Sequence, residues 1–225
     1  GEMGNPDLDP YEATNFDLSI EYYGDGSFAS FGYFKKDIDN AIYPLAVANT
    51  TVNGLFFDEL LTFVNSKNSD ADGFELNIFQ ELNMLPDPFD GLFISMNFTI
   101  TDGTSSLDVD NGTVTFPFRK LSEDVSNISI GYDKNKFDVR LSYVSRSPYL
   151  DYLADDDSET IQEDLDNNNI RYTDDHTQID FNLKYKINDN VSVKFDINNI
   201  TDEPEFYYWG TQNRLSQYDE YGTTY

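Results

Sequence analysis

Cysteine is absent from this 225-residue sequence, and histidine and tryptophan occur once each, as His176 and Trp209. Without thiols there is no disulfide framework and no thiolate metal site. His176 falls where a polar run enters an alternating segment, a place for a solvated residue rather than a general base. Basic side chains are scarce as well: 14 Lys and Arg face 42 Asp and Glu, a net charge of −28. Such a chain repels phosphate backbones, which excludes nucleic acid as a partner. No apolar run reaches the ~18 residues of a membrane helix, although a scan of that kind is blind to alternating membrane strands of about 10 residues. The opening "GEMGNPDLDP" carries no basic, apolar leader, which fits a removed signal peptide or, the reading preferred, a chain whose N-terminal part lies elsewhere.

Alternation is what the sequence has in abundance. In "DFNLKYKINDNVSVKFDINNI" (180–200), Phe181, Leu183, Tyr185 and Ile187, then Val191, Val193, Phe195 and Ile197, fall on one side. Asp180, Asn182, Lys184, Lys186, Ser192, Lys194, Asp196 and Asn198 fall on the other. Successive strand side chains point to opposite faces, so the segment reads as a hairpin turning at "NDN" with one oily and one wet face. The same pattern recurs around residues 16–22, 74–82, 92–100, 128–132 and 137–143, while 27–43 reads as a strand without a clean two-face split. Eight strands and the start of a ninth near Tyr218 to Tyr225 are expected.

The connections decide which face meets water. They run short, long, short, long: 24–26, 44–70, 86–91, 103–123, 134–136, 148–175, 188–190 and 202–217. In an up-and-down sheet, alternate connections share an end, so every tight turn lies at one end and every long loop at the other. Outer-membrane barrels have this asymmetry, with short periplasmic turns and long extracellular loops. The physics of a β-sandwich does not sort loops this way. Tyr22, Tyr23, Phe89, Tyr132 and Tyr185 near the turns, and Tyr43, Tyr143, Tyr149 and Tyr207 to Trp209 near the loops, fit interfacial girdles. The fold expected is all-β: an antiparallel, up-and-down transmembrane β-barrel whose oily face meets lipid and whose polar face lines the lumen.

The segments "GNPDLDPYEATNFDLSIEYY" (4–23), "FGYFKKDIDNAI" (31–42), "LPDPFDGLFISMNFT" (85–99), "YVSRSPY" (143–149) and "DINNITDEPEFYYWGTQNRLSQYDEYGTTY" (196–225) resemble the C-terminal barrel of TonB-dependent outer-membrane receptors. The resemblance implies a C-terminal fragment, about nine strands of a 22-stranded barrel, with the plug domain and early strands absent from residues 1–225. It also implies residence in the outer membrane of a Gram-negative bacterium. The partners it implies are outer-membrane lipid, a TonB-type energy-coupling complex reached through the missing plug region, and a scarce, bulky cargo. That cargo is an oligosaccharide or a ferric siderophore.

Candidate site residues follow. "EFYYWGTQNR" (205–214) offers Tyr207, Tyr208, Trp209, Asn213 and Arg214, stacking planes and hydrogen-bond donors suited to sugar rings or catecholate rims. Arg140, Lys184 and Lys194 fall on the polar strand face, where the resemblance implies contact with the plug. Residues 148–175 hold ten acidic side chains beside Arg171, a solvated loop or a negative gate that favours saccharides over anionic chelates. No catalytic constellation, cofactor motif or metal set stands out: "NSDADGFELNIF" (68–79) has Phe79 where a calcium loop needs its Glu. The competing reading is an acidic soluble or cell-surface β-sheet module for carbohydrate binding or adhesion. Asn-x-Ser/Thr triplets would fit it, but those at Asn97, Asn127 and Asn199 fall inside expected strands.

Overall fold

The computed structural model describes residues 1–109, 112–153, 164–165 and 167–225. Strands β1 (Glu12–Gly24), β2 (Ser27–Asp39), β5 (Asn68–Glu81), β6 (Leu92–Val109), β8 (Asp124–Lys134), β9 (Phe137–Arg146), β12 (His176–Asn188) and β13 (Val191–Ile197) form one antiparallel sheet. Their order along the sheet is their order along the chain, the up-and-down topology that the alternating connections imply. Tight turns close one end. At the β8–β9 turn Asn135 takes φ 59, and at the β12–β13 turn the Asn188 side chain accepts the Asn190 amide at 2.9 Å.

The connections at the other end are not loops. Residues expected as coil fold into β3 (Ile42–Val52) and β4 (Leu55–Asn65), β7 (Gly112–Pro117), β10 (Tyr149–Tyr152), β11 (Arg171–Thr173), β14 (Glu205–Trp209) and β15 (Leu215–Asp219). The β3–β4 hairpin turns at Asn53–Gly54, both at positive φ (52 and 79), the geometry that matches strand twist. The expected ninth strand is corrected likewise. Residues 215–219 pair with β14 in a four-stranded sheet, β10-β11-β14-β15, and contact with β13 begins only at the Asn198–Thr224 bridge.

Register makes the two faces of the main sheet coherent. One row runs Tyr33, Phe74, Ile100; another runs Ile94, Ile130, Leu141, Phe181, Ile197. These side chains form an apolar belt bare to its surroundings, with Ile20 72% and Val193 53% exposed. On the opposite face Asn77 donates to Ser30 at 3.1 Å, Asn97 to Asn77 at 2.5 Å and Asn127 to Asn97 at 3.4 Å. Asn97 and Asn127 are therefore rungs of an amide ladder inside strands. Glycine matters at Gly131, where the Phe93 ring lies across the backbone and an added Cβ would meet it at 2.1 Å.

Among the described residues, the clustered buried core lies at the long-connection end. There Ile38, Tyr43, Leu107, Val114 and Phe116 pack with Leu150, Leu153 and Ile170. Tyr43 and Phe116 meet edge-on at 5.4 Å. Buried hydroxyls lock this packing in series: Tyr43 to Ser105 at 2.6 Å, Ser105 to Ser69 at 2.9 Å and Ser69 to Ser66 at 3.1 Å. Tyr43 is thus a core residue and not part of a girdle. Tyr23 also leaves the girdle: register sets it with Phe28 on the polar face, 5.1 Å from that ring. Tyr22, Tyr132, Tyr185 and Tyr143 keep to the apolar face. The calcium-loop segment 68–79 lies wholly within β5.

Candidate functional site at the long-connection end

The sheet β10-β11-β14-β15 has two unlike faces because its tyrosines alternate. Leu150, Tyr172 and Tyr208 share a register row. Leu150 belongs to the core, Tyr172 packs against it, and the Tyr172 and Tyr208 rings stack at 5.5 Å. Burial raises the pKa of both phenols, since it disfavours the phenolate. Tyr149, Thr173 and Tyr207 form the opposite row, with Arg171 and Trp209 paired beside it.

Arginines gather on that second face. The Arg171 guanidinium lies 4.6 Å from the centre of the Tyr207 ring and bonds Asp151 at 3.1 Å. Arg146, the last residue of β9, lies 4.9 Å from the Tyr149 ring and donates to the Asp174 carbonyl at 2.7 Å. Arg119 lies 5.5 Å from the Tyr152 ring and donates to the Asp151 carbonyl at 2.5 Å. Each pair sets a planar cation over a π face, an arrangement worth about 0.5–2 kcal/mol that leaves guanidinium edges for a further acceptor. The Tyr207 hydroxyl donates to Glu205 at 2.6 Å, which raises its pKa above the ordinary tyrosine value. Arg171 Nε, Thr173 Oγ1 and His176 Nδ1 are buried and have no hydrogen-bond partner among the described residues. His176 is half-buried, its Nε2 3.4 Å from Gln178 Oε1, rather than freely solvated as its position suggests.

The expected ligand residues separate. Tyr207 and Trp209 stand with Arg171 on the arginine face, whereas Tyr208 is in the buried row. Asn213 accepts the Thr211 hydroxyl at 2.5 Å within the β14–β15 turn. Arg214 clamps that turn onto β11's approach, donating to the Asn168 carbonyl at 3.0 Å and to Asn169 Oδ1 at 2.6 Å. Gly210 is required there: at φ +63 its Cβ position is 2.0 Å from the Asn168 carbonyl oxygen. Arg140, Lys184 and Lys194 sit elsewhere, on the polar face of the main sheet. Arg140 covers the Phe93 ring at 5.4 Å, and Lys184 stands in register between Asp138 and Lys194. Sequence reading passed over Arg119 and Arg146. The signal was "YVSRSPYLDY", an arginine three residues before a tyrosine at a strand end. Of the ten carboxylates in 148–175, six lie outside the described residues.

A bare apolar belt, an opposed polar ladder and ordered sheets at one end are now joined by a match in sequence. The family described as "TonB dependent receptor-like, beta-barrel" matches residues 1–200. The chain belongs to this family. Over 236 aligned positions it is 25% identical to a probable hemoglobin and hemoglobin-haptoglobin-binding protein 4 of Haemophilus influenzae, covering 96% of this chain and 22% of that one. Over 82 positions it is 34% identical to the ferric enterobactin receptor PirA of Pseudomonas aeruginosa, covering 36% of this chain and 11% of the receptor. The siderophore receptor PirA of Acinetobacter baumannii shares the fold, with a TM-score of 0.62 at 19% identity over 99% of this chain and 32% of that one. The chain thus spans under a third of the proteins it resembles.

Proposed function

We propose that residues 1–225 are the C-terminal portion of the barrel of an outer-membrane TonB-dependent receptor, and that its cargo is a ferric siderophore. The observation that carries the cargo is the stacking of Arg171, Arg146 and Arg119 on Tyr207, Tyr149 and Tyr152 at the end that faces outward. A chelate with aromatic, anionic rims fits planar cations better than a saccharide does, because guanidinium edges donate charge-assisted hydrogen bonds to anionic oxygens and aromatic rings offer flat surface. The ferric enterobactin and siderophore receptors among the relatives support the same class. Transport needs energy, and in this reading it arrives from a TonB-type complex through a plug region outside this chain. The acidic module with water on both faces is disfavoured, since it would leave the belt from Leu18 to Phe195 exposed.

Binding to the full-length receptor tests the reading, with ferric enterobactin and maltoheptaose as probes. Arg171→Gln is expected to weaken ferric enterobactin binding at least about tenfold, the loss of one charge-assisted contact. Tight maltoheptaose binding, or ferric enterobactin binding indifferent to both Arg171→Gln and Arg146→Gln, overturns it.

A further inference from the structure

The apolar belt is not smooth. Between β5, β6 and β8 it holds a groove of about 530 Å³ lined by Phe31, Phe74, Leu76, Phe98, Ile100 and Ser126. Its cause is a step in side-chain size along one register row, Leu76, Phe98, Ser126, Ser145, Thr177, where bulky apolar residues give way to small hydroxyl ones. The row toward the tight turns keeps large side chains, Met96, Ile128, Tyr143 and Ile179. Phe31 and Phe74 stack at 5.7 Å and form one wall. Ser145 and Thr177 bond each other at 3.1 Å, so their hydroxyls need no water. At the long-connection end the groove stops at Asp124, paired in register with Ile100, and the next row carries Lys35, Asp72 and Asp102.

We propose that this groove is a seat for one acyl chain of an outer-leaflet lipid, whose carbonyl linkage lies at Ser126 and whose headgroup lies beyond Asp124. The inference rests on the outer-membrane reading above. The occupant follows from position: the groove opens on the face turned to the bilayer, within the belt, and its charged edge, at Asp124, faces the outer surface. A second copy of the chain is a poor occupant, because the strip of carboxylates at Asp72, Asp102 and Asp124 would meet its own counterpart across a two-fold contact. A hydrocarbon chain fills the trough and stops where charge begins. Its gain is dispersion contact with the Phe31, Phe74 and Phe98 rings that neighbouring side chains do not supply.

The test uses the full-length receptor released from its membrane in mild detergent, stripped of lipid and titrated with dipalmitoyl phosphatidylcholine, with retained lipid counted by native mass spectrometry. One lipid is expected to outlast the others. Ser126→Phe, which fills the trough, is expected to lower that lipid's retention at least about fivefold, while Leu183→Phe on the smooth part of the belt leaves it unchanged. If Ser126→Phe does not assemble, Ser126→Val makes the same comparison with a smaller filler. Equal retention in parent and filled variants overturns the seat, as does an equal loss in Leu183→Phe. A receptor that never reaches the membrane in heat-modifiable form instead overturns the outer-membrane reading.

Discussion

Strands β2, β5 and β6 each run through two regions that obey opposite rules. In the lower wall the outward row is apolar (Phe31 and Tyr33; Phe74, Leu76 and Ile78; Met96, Phe98 and Ile100), and the inward row carries Ser30, Asn77 and Asn97. In the upper cap the same outward row turns acidic, with Asp37, Asp70, Asp72, Asp102 and Asp108. The inward row turns apolar there, and Ile38, Ala71, Leu107 and Phe116 become buried. No register break accompanies the change, for the β2–β5 pairing is continuous from Ser27 to Ile38. Only the solvent differs. Below, in the outer-membrane reading, the belt faces hydrocarbon, so the backbone must be satisfied by neighbouring strands and the apolar side points outward. Above, both faces meet water or protein, so apolar residues turn inward and form an ordinary core.

The sharpest way to break this contrast is a charge in the wall. Leu183→Lys or Phe195→Lys in the full-length receptor is expected to block assembly, at about 2–4 kcal/mol per lysine near the bilayer midplane. Lys184→Ala and Lys194→Ala, one residue away on the polar face, are expected to assemble. The heat-modifiable band in the membrane fraction measures both, and equal tolerance at all four positions would erase the distinction between faces.

A cavity in the cap should act the other way. Phe116→Ala removes a ring 3% exposed and is expected to cost about 3–5 kcal/mol of cap stability. Assembly should persist because the wall does not use that core. Hydrogen exchange would show faster opening of β3, β7 and β10, with β8 and β9 protected as in the parent; loss of the whole barrel would mean that cap and wall are one cooperative unit.

Under the proposed function, recognition belongs to the cap. Trp209→Ala is expected to weaken cargo binding severalfold while assembly stays normal, and Asp189→Ala in the opposite turn is expected to leave binding unchanged. If the two variants bind alike, β14 is a scaffold and contacts with cargo lie on other parts of the receptor.

The smallest effect concerns the tight-turn end, where Lys134 bonds both Asp87 and Asp90. The Lys134 hydrogen bond holds the Asp90 carboxyl below its ordinary pKa. A depressed folded value contributes stability above the unfolded pKa of about 3.9 and loses it as pH falls through the lower folded value. Lys134→Met is therefore expected to speed exchange in residues 86–91 at pH 7, with the difference from the parent vanishing in strong acid.

Much of the wall was legible before any coordinates. Period-two alternation reports one dry and one wet face, and 180–200 showed it almost without interruption. Residues 27–43 resisted because β2 crosses the change of solvent: Phe31 and Tyr33 point one way and Ile38 the other. The cap strands were read as loops for a related reason. "PLAVANTTVNGLFFDELLTFV" holds β-branched and aromatic residues around an Asn-Gly turn, but length between wall strands was weighed above that local signal. Tyr208 looked like its neighbours Tyr207 and Trp209 because phase on a short strand depends on its partner, here Tyr172.

By itself the sequence determined which residues alternate and where the tight turns fall, since alternation and turn chemistry are local properties of the backbone. Only the tertiary structure decided which side of each cap strand is buried and which arginine meets which tyrosine. Arg146 meets Tyr149 three residues on, but Arg119 and Arg171 are far in the chain from Tyr152 and Tyr207, which become their partners only when β10, β11 and β14 pair. Contacts of that range depend on register between strands, which a single strand does not encode.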